Sequence, residues 1–227
     1  MTICEQCDVR KYSSLNALTE AELAKVAICK TTYNLKKGDA IFNEGDATNG
    51  VFCVKEGACK MTKLGTNGKD HIIKIVKSGE LLGQRSMISD ENANLSAVAL
   101  EEMKVCFIPK SEMMPFFQEN QKFSMAVLKT ICNDLKEADD HTISLAQKTV
   151  KQRLAETLIY LYENFGENPD GSLKIQLSRE EMAGMIGTAT ESCIRLLSEF
   201  NKNNDIDIIG KKIIILNANK LKMLALG

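Results

Sequence analysis

Hydrophobic and polar positions divide the chain into stretches of different period. Between Thr31 and Pro109 the apolar runs are short, of β type, and broken by Gly38, Gly45, Gly50, Gly57, Gly65, Gly68, Gly79 and Gly83. Lys36-Lys37-Gly38-Asp39 and Asn43-Glu44-Gly45-Asp46 read as turns, and Val51-Phe52-Cys53-Val54 as a strand. Asn67-Gly68 reads as the turn of a hairpin joining residues 59–64 to residues 71–76. Many short strands with regular glycine turns predict a compact β-roll or barrel. Ahead of it, residues 14–29 predict a short helix with Thr19 as cap and Glu22 completing the capping box.

Near Asn120 the period changes. Leu128, Ile131, Leu135, Ala138, Thr142 and Leu145 step by three and four alternately. That is a heptad seam, apolar apart from Thr142, on a helix of about seven turns. A single buried helix would also show a stripe, but this one is narrow and its flanks are charged, which predicts a homodimer. Asp139 and Asp140 lie beside the seam, where pairing would bring like charges together.

The richest stretch runs from Leu177 to Phe200. Ser178 predicts a helix cap with Glu181 as its partner, Met182, Ala183 and Ile186 an apolar face, and Gly187 the stop. A second helix follows, capped by Thr188 or Thr190, with Cys193, Leu196, Leu197 and Phe200 facing inward. Two short helices joined by a tight glycine-containing turn predict a helix-turn-helix, whose second helix can enter a DNA major groove. Thr190, Glu191, Ile194 and Arg195 then point away from the core, and Thr188 and Ser192 complete the set expected to contact DNA. Residues 173–177 alternate like a strand, and residues 206–216 read as a β-hairpin around Gly210-Lys211. Such a hairpin is a wing, whose Lys211 and Lys212 can meet phosphates. A plain helical hairpin and a solvated charge pair are the simpler readings of these features.

A chain of 227 residues has room for two modest cores. Its 29 basic and 30 acidic residues leave it near neutral, and from Lys148 onward there are 11 basic and 10 acidic. DNA affinity would then depend on a dimer and shaped contacts more than on bulk charge. No apolar run is long enough to span a bilayer and no signal segment opens the chain, which predicts a cytoplasmic protein without a membrane partner. In that compartment the eight cysteines are not expected to form a disulfide framework. Cys132 and Cys193 read as buried thiols on apolar helix faces. Cys4-Glu5-Gln6-Cys7 differs, since packing gives two thiols no reason to sit in a polar arm.

A β-roll, a long helix and a winged helix-turn-helix in this order resemble the CRP/FNR superfamily of bacterial transcription regulators. The resemblance extends over nearly the whole chain and is carried by Gly38-Asp39, Glu44-Gly45-Asp46, Gly57, Gly79-Glu80-Leu81-Leu82-Gly83 and the helix-turn-helix. It implies an α+β fold: a cyclic-nucleotide-binding-like β-roll with a cysteine-containing arm over residues 1–117, a dimerisation helix over 118–147, and a winged helix-turn-helix over 148–227. It also implies a homodimer that binds double-stranded DNA, contacts RNA polymerase, and answers a redox, oxygen or small-ligand signal sensed by the β-roll.

The cyclic-AMP-binding members carry a Glu after the glycine here numbered Gly83, and an Arg-Ser pair further on. This chain has Gln84 and Leu95-Ser96, and Arg85 follows the wrong position, which argues against a cyclic nucleotide. The FNR-type oxygen sensors hold a [4Fe-4S] cluster on N-terminal cysteines and one cysteine before the dimer helix. Cys4 and Cys7 match the first pair and Cys106 the distant ligand, so the resemblance implies these three as metal ligands. The position of the third N-terminal cysteine is Ser13. Since four thiolates are the usual requirement, Cys29, Cys53, Cys59 or a non-cysteine ligand would have to complete the set. Thiol redox sensing, simple packing and zinc are the alternatives. Glu191 and Arg195 match the family's Glu and Arg, where the Arg can lie bidentate on guanine and the Glu can accept from cytosine N4. Thr190 stands where the CRP type has a further Arg and Ile194 where the FNR type has Ser, so the half-site is expected to differ from both.

An enzyme built on the β-roll would need clustered His and carboxylate ligands, and only His71 and His141 are present. No P-loop, nucleophile elbow or HExxH pattern occurs. An iron–sulfur electron carrier would leave the helix-turn-helix and wing unexplained.

Overall fold

The computed structural model describes residue 4 and residues 7–66, 68 and 70–227. The chain forms two compact units, one reaching Lys63 and resuming over Lys74–Glu137, the other made of Leu64–Ile73 and Ala138–Gly227.

In the first unit two 3-10 turns, Asp8–Tyr12 and Ser14–Ala17, precede α1 (Glu20–Cys29). The helix expected from residue 14 therefore starts at Glu20, because Thr19 caps it. Its hydroxyl accepts from the Glu22 N–H at 3.3 Å, and the Glu22 carboxylate accepts from the Thr19 N–H at 2.7 Å. Eight strands follow: β1 (Thr31–Leu35), β2 (Ala40–Phe42), β3 (Gly50–Glu56), β4 (Ala58–Leu64), β5 (Asp70–Lys77), β6 (Leu81–Leu82), β7 (Ser96–Ala99) and β8 (Met103–Pro109). They make two four-stranded sheets, ordered β1-β8-β3-β6 and β2-β7-β4-β5. The expected β4–β5 hairpin is present; Asn67 of its turn lies outside the described residues.

Strands β3 and β8 are covered on both faces, which explains their unbroken apolar runs. Val51, Cys53, Cys106 and Ile108 face a core shared with Leu23 and Val26 of α1. Val54, Met103 and Val105 face a second core with Phe42, Cys59 and Val76. Helix α2 (Gln84–Ser89) follows β6, and α3 (Lys110–Glu119) leads into α4 (Gln121–Gln147), which matches the predicted long helix. Phe123 and Val127 anchor α4 in the first core. Lys74 of β5 adds a polar tie, its Nζ 2.5 Å from Asp134, 3.6 Å from Glu137 and 3.8 Å from Glu80. Burial opposes that charge, yet the hydrogen bond to Asp134 and the other carboxylates hold its pKa above the ordinary lysine value.

The second unit takes the last turns of α4, then α5 (Val150–Phe165), α6 (Arg179–Met185), α7 (Thr190–Lys202), strands β9 (Ile206–Ile209) and β10 (Lys212–Ile215), and α8 (Ala218–Leu226). Strands β9 and β10 are antiparallel neighbours, as the wing requires. Residues 173–177 are not a strand. Only isolated bridges form there, Glu167 with Leu173 and Ser172 with Ile214, although the alternation survives as burial of Leu173, Ile175 and Leu177. The Leu173 N–H still donates to the Ile213 carbonyl of β10 at 2.8 Å, but the pairing does not continue into a ladder and the segment docks by its apolar face. Cys193 is buried as expected, whereas Cys132 is exposed on α4, opposite to its expected packing role. No described helix is long and apolar enough to cross a membrane.

Candidate functional site

The capping box of α6 forms as the sequence predicts. Ser178 Oγ accepts from the Glu181 N–H at 3.1 Å, and the Glu181 carboxylate accepts from the Ser178 N–H at 2.7 Å. Met182, Ala183 and Ile186 are buried. Gly187 ends the helix at a φ of +64°, and a Cβ there would lie 2.9 Å from Leu145 Cδ2, so both conformation and space call for glycine. Neither Thr188 nor Thr190 caps α7. The N-cap is Ala189, with no side-chain cap, because Thr190 is already the first helical residue. Cys193, Leu197 and Phe200 are buried, Leu196 partly so. On the opposite face Glu191 and Arg195 are exposed, Ile194 is 46% exposed, and Thr188, Thr190 and Ser192 are half-buried.

What orients this motif is Arg153 of α5, a residue not singled out in the sequence. Its Nε donates to the Ile186 carbonyl at 2.7 Å and its Nη2 to the Gly187 carbonyl at 3.4 Å. Its Nη1 donates to the carbonyls of Lys148 at 2.7 Å and Leu145 at 3.3 Å. One guanidinium thus joins the turn of the helix-turn-helix to the end of α4. A signal was available: Arg153 follows the Thr149 cap in the first turn of α5, where a cation opposes the helix dipole. Beside it, Glu156 accepts from Ser144 Oγ and Lys148 Nζ, both at 2.7 Å. His141, half-buried on α4, shares this environment. Burial holds its pKa below the ordinary 6.5; Glu156 pulls it up and Arg153 pushes it further down.

In the wing, Lys212 is engaged within the chain. It pairs with Asp170, whose carboxyl it holds well below the usual range with help from Ser172. Lys212, which faces Ile209 beside the wing's turn, is thus tied back to Asp170, and Lys211 is the exposed tip lysine. The α4 seam is also not uniform. Leu128 and Leu135 are 44% and 63% exposed, and Ala138 and Thr142 are exposed too. Ile131, in contrast, leans partly on the core of the first unit, while Leu145 is 43% exposed and its Cδ2 lies beside Gly187. Asp139 and Asp140 are exposed.

In the first unit the arm returns its thiols to the β-roll. Gly79, at φ +94°, permits this: a Cβ would sit 2.8 Å from Tyr12 Cβ and 3.0 Å from the Val9 carbonyl. Cys4, Cys7 and Cys106 line one cavity, together with Cys53. Lys30 donates to Cys4 Sγ at 3.0 Å. Burial opposes the charge of Lys30, and the bond to Cys4 with the nearby Cys106 and Cys7 thiols raises its pKa nonetheless. Burial pushes the Cys53 thiol up to about 12. Ser13, at the position of the absent cysteine, is not part of the cavity wall; its hydroxyl caps a 3-10 turn by accepting from the Leu15 N–H at 3.2 Å. Among the described residues no three His, Cys, Asp or Glu side chains are close enough to hold a single metal ion. At the position aligned with cyclic-nucleotide recognition, Gln84 is buried, Arg85 lies 3.6 Å from Glu91, and Ser96 Oγ accepts from the Glu44 N–H at 2.9 Å.

Two predictions follow from the α4–α5 junction. Arg153→Ala should destabilise the chain by about 1.5–3 kcal/mol, since it strips a charged donor from several carbonyls, and Arg153→Lys should recover only part. Urea midpoints of the full-length variants check this. Because folded His141 binds its proton less readily than the unfolded chain, stability should fall as pH drops below 6.5 and through the folded-state pKa. The loss between about pH 7.5 and about pH 5.5 should be smaller in His141→Gln; equal losses in both proteins would discard His141 as a contributor.

Comparison with known proteins agrees with this geometry. Residues 33–120 match the cyclic nucleotide-binding domain family, and residues 152–224 match the Crp-like helix-turn-helix domain family. The transcriptional activator protein anr of Pseudomonas aeruginosa is 27% identical over 227 residues, covering 99% of this chain and 93% of that protein. The fumarate and nitrate reduction regulatory protein of Vibrio cholerae is 25% identical, covering 98% of this chain and 90% of that protein. The structure of FixK2 from Bradyrhizobium japonicum shares the fold, with a TM-score of 0.77 at 22% identity, covering 86% of this chain and 96% of that one. Two matched domains in this order, full-length likeness to transcription regulators rather than enzymes, and the exposed face of α7 lead to one conclusion: the chain belongs to the CRP/FNR family of DNA-binding transcription regulators.

Proposed function

We propose that the chain is a homodimeric, sequence-specific regulator that reads a near-palindromic site in double-stranded DNA and answers a redox or oxygen signal at its β-roll. The observation that carries the DNA reading is α7, buried on Cys193, Leu197 and Phe200 and exposed at Glu191, Ile194 and Arg195. Arg195 pairs with guanine, Glu191 accepts from cytosine, and Lys211 meets backbone phosphate. Thr188, Thr190 and Ser192 flank the uncapped first turn of α7, where free N–H groups favour a phosphate oxygen. In the dimer, Leu128, Leu135, Ala138 and Thr142 form the seam, and the two recognition helices stand roughly 34 Å apart, one DNA turn. The activator relatives support RNA polymerase as the protein partner and the cytoplasm as the place of action.

For the signal, we assign a [4Fe-4S] cluster to Cys4, Cys7 and Cys106. The fit rests on their sharing one cavity whose wall also carries Arg10, Lys30 and Lys55, thiol donors with compensating positive charge. When bound, such a cluster supplies one-electron and oxygen-reactive chemistry. The chain's own residues hold it, and the apolar wall restricts water. The core around this cavity includes Phe123 and Val127 of α4, so packing there bears directly on the dimer helix. A signal acts only as far as it favours one dimer state over the other.

Arg195→Ala should weaken binding to a matched site by about 1–3 kcal/mol and relax preference at one base pair. Fluorescence anisotropy against a panel of half-site variants reads this, and an equal loss on every sequence would make Arg195 a phosphate contact. Leu135→Asp should convert the dimer to monomer in sedimentation equilibrium, while changing the stability of the single chain by no more than about 0.5 kcal/mol. A dimer that persists in Leu135→Asp would remove the seam.

A further inference from the structure

Three N-terminal or near-helix cysteines leave a thiolate cluster one ligand short, and the fold narrows the choice of the fourth. Cys59 is buried in the second core, away from the cavity. Cys29 lies outside the cavity wall, its thiol donating to the Val26 carbonyl at 3.6 Å. Ser13 is committed to a turn. Cys53 alone among these lines the cavity with Cys4, Cys7 and Cys106.

The placement is built by strand register. Cys53 of β3 stands directly opposite Cys106 of β8, on the face shared with Val51 and Ile108. Opposed residues of antiparallel strands bring their Cβ atoms to about 4.5–5.5 Å, so two thiols enter from one wall as a pair. The arm supplies the other pair, Cys4 and Cys7, both on the cavity wall; the Cys7 N–H donates to the Cys4 carbonyl at 3.3 Å, and the Arg10 N–H to the Cys7 carbonyl at 3.1 Å. Arg10, Lys30 and Lys55 share the cavity wall with the four thiols, and a cluster with four thiolates is a dianion that such neighbours would stabilise.

We propose that Cys53 is the fourth thiolate ligand of the [4Fe-4S] cluster, in place of the N-terminal cysteine that Ser13 replaces. Ligation exchanges each S–H bond for an S–Fe bond and releases the proton to solvent, with no electron transferred in that exchange. The assignment rests on the cluster reading above, and the test separates the two.

Full-length protein is purified without oxygen as wild type, Cys53→Ala, Cys53→Ser and Cys59→Ala. Iron, acid-labile sulfide and Mössbauer spectra are measured, with circular dichroism as the check on folding. Wild type and Cys59→Ala should carry about four irons and four sulfides per chain, and Cys53→Ala at least about tenfold less. In Cys53→Ser, oxygen in place of sulfur should either release the cluster or change the Mössbauer doublet of one iron site, a signature that a packing role does not produce. It also decides the matter if Cys53→Ala does not fold. Full iron and an unaltered spectrum in folded Cys53 variants would overturn the ligand and leave the cluster reading standing. A wild type without iron and sulfide would overturn both.

Discussion

The first turn of a helix is a poor place for a cation, because its unpaired N–H groups already carry partial positive charge. Arg153 sits in that turn of α5 and reaches out of it, to the carbonyls of Leu145 and Lys148 at the end of α4 and of Ile186 and Gly187 at the end of α6. Those carbonyls are the negative ends of two other helices. Three helix termini therefore meet at one planar fork, and the angle of the recognition helix to the last turns of α4 depends on it. Arginine suits the task because its donors are fixed in one plane, so that several acceptors are satisfied at once. Glu156 completes the junction by accepting from Ser144 and Lys148, and burial there holds the pKa of His141 below its ordinary value.

Charge elsewhere in the DNA-reading half is largely consumed inside the chain. Lys212 is tied to Asp170, Lys151 to Glu199, Lys220 to Asp205 and Lys222 to Glu163. Arg195 on the outer face of α7 and Lys211 at the wing tip are left exposed. A surface of this kind gains little from non-specific attraction, so registered contacts carry more of its affinity for DNA.

The β-roll follows another constraint. Strands β3 and β8 divide two cores, so side chains on both of their faces are buried against protein. An unpaired thiol is acceptable in such a place as a small hydrophobe. Cys53 and Cys106 are, however, the pair at which Cys4 and Cys7 of the arm also converge, with Arg10, Lys30 and Lys55 in the same cavity wall. That convergence lies in the core that also holds Phe123 and Val127 of α4.

Much of this was legible in the sequence, because caps, heptads and strand alternation are interactions between near neighbours. The capping boxes at Thr19 and Ser178, the stop at Gly187, the long helix from residue 121 and the β9–β10 wing all follow from spacing alone. The cap of α7 was misread because either of two threonines satisfied the local rule, and the backbone began the helix at Thr190. The 173–177 strand was misread because alternation reports a buried face and says nothing about a hydrogen-bonding neighbour. The sequence by itself thus determined the element order, the fold class and the outward face of the recognition helix. Only the tertiary structure decided that Arg153 braces the reading head, that Lys212 is spent on Asp170, and that Cys53 joins thiols at the chain's start. Those contacts link residues 33 to 49 positions apart, between elements whose local patterns carry no record of one another.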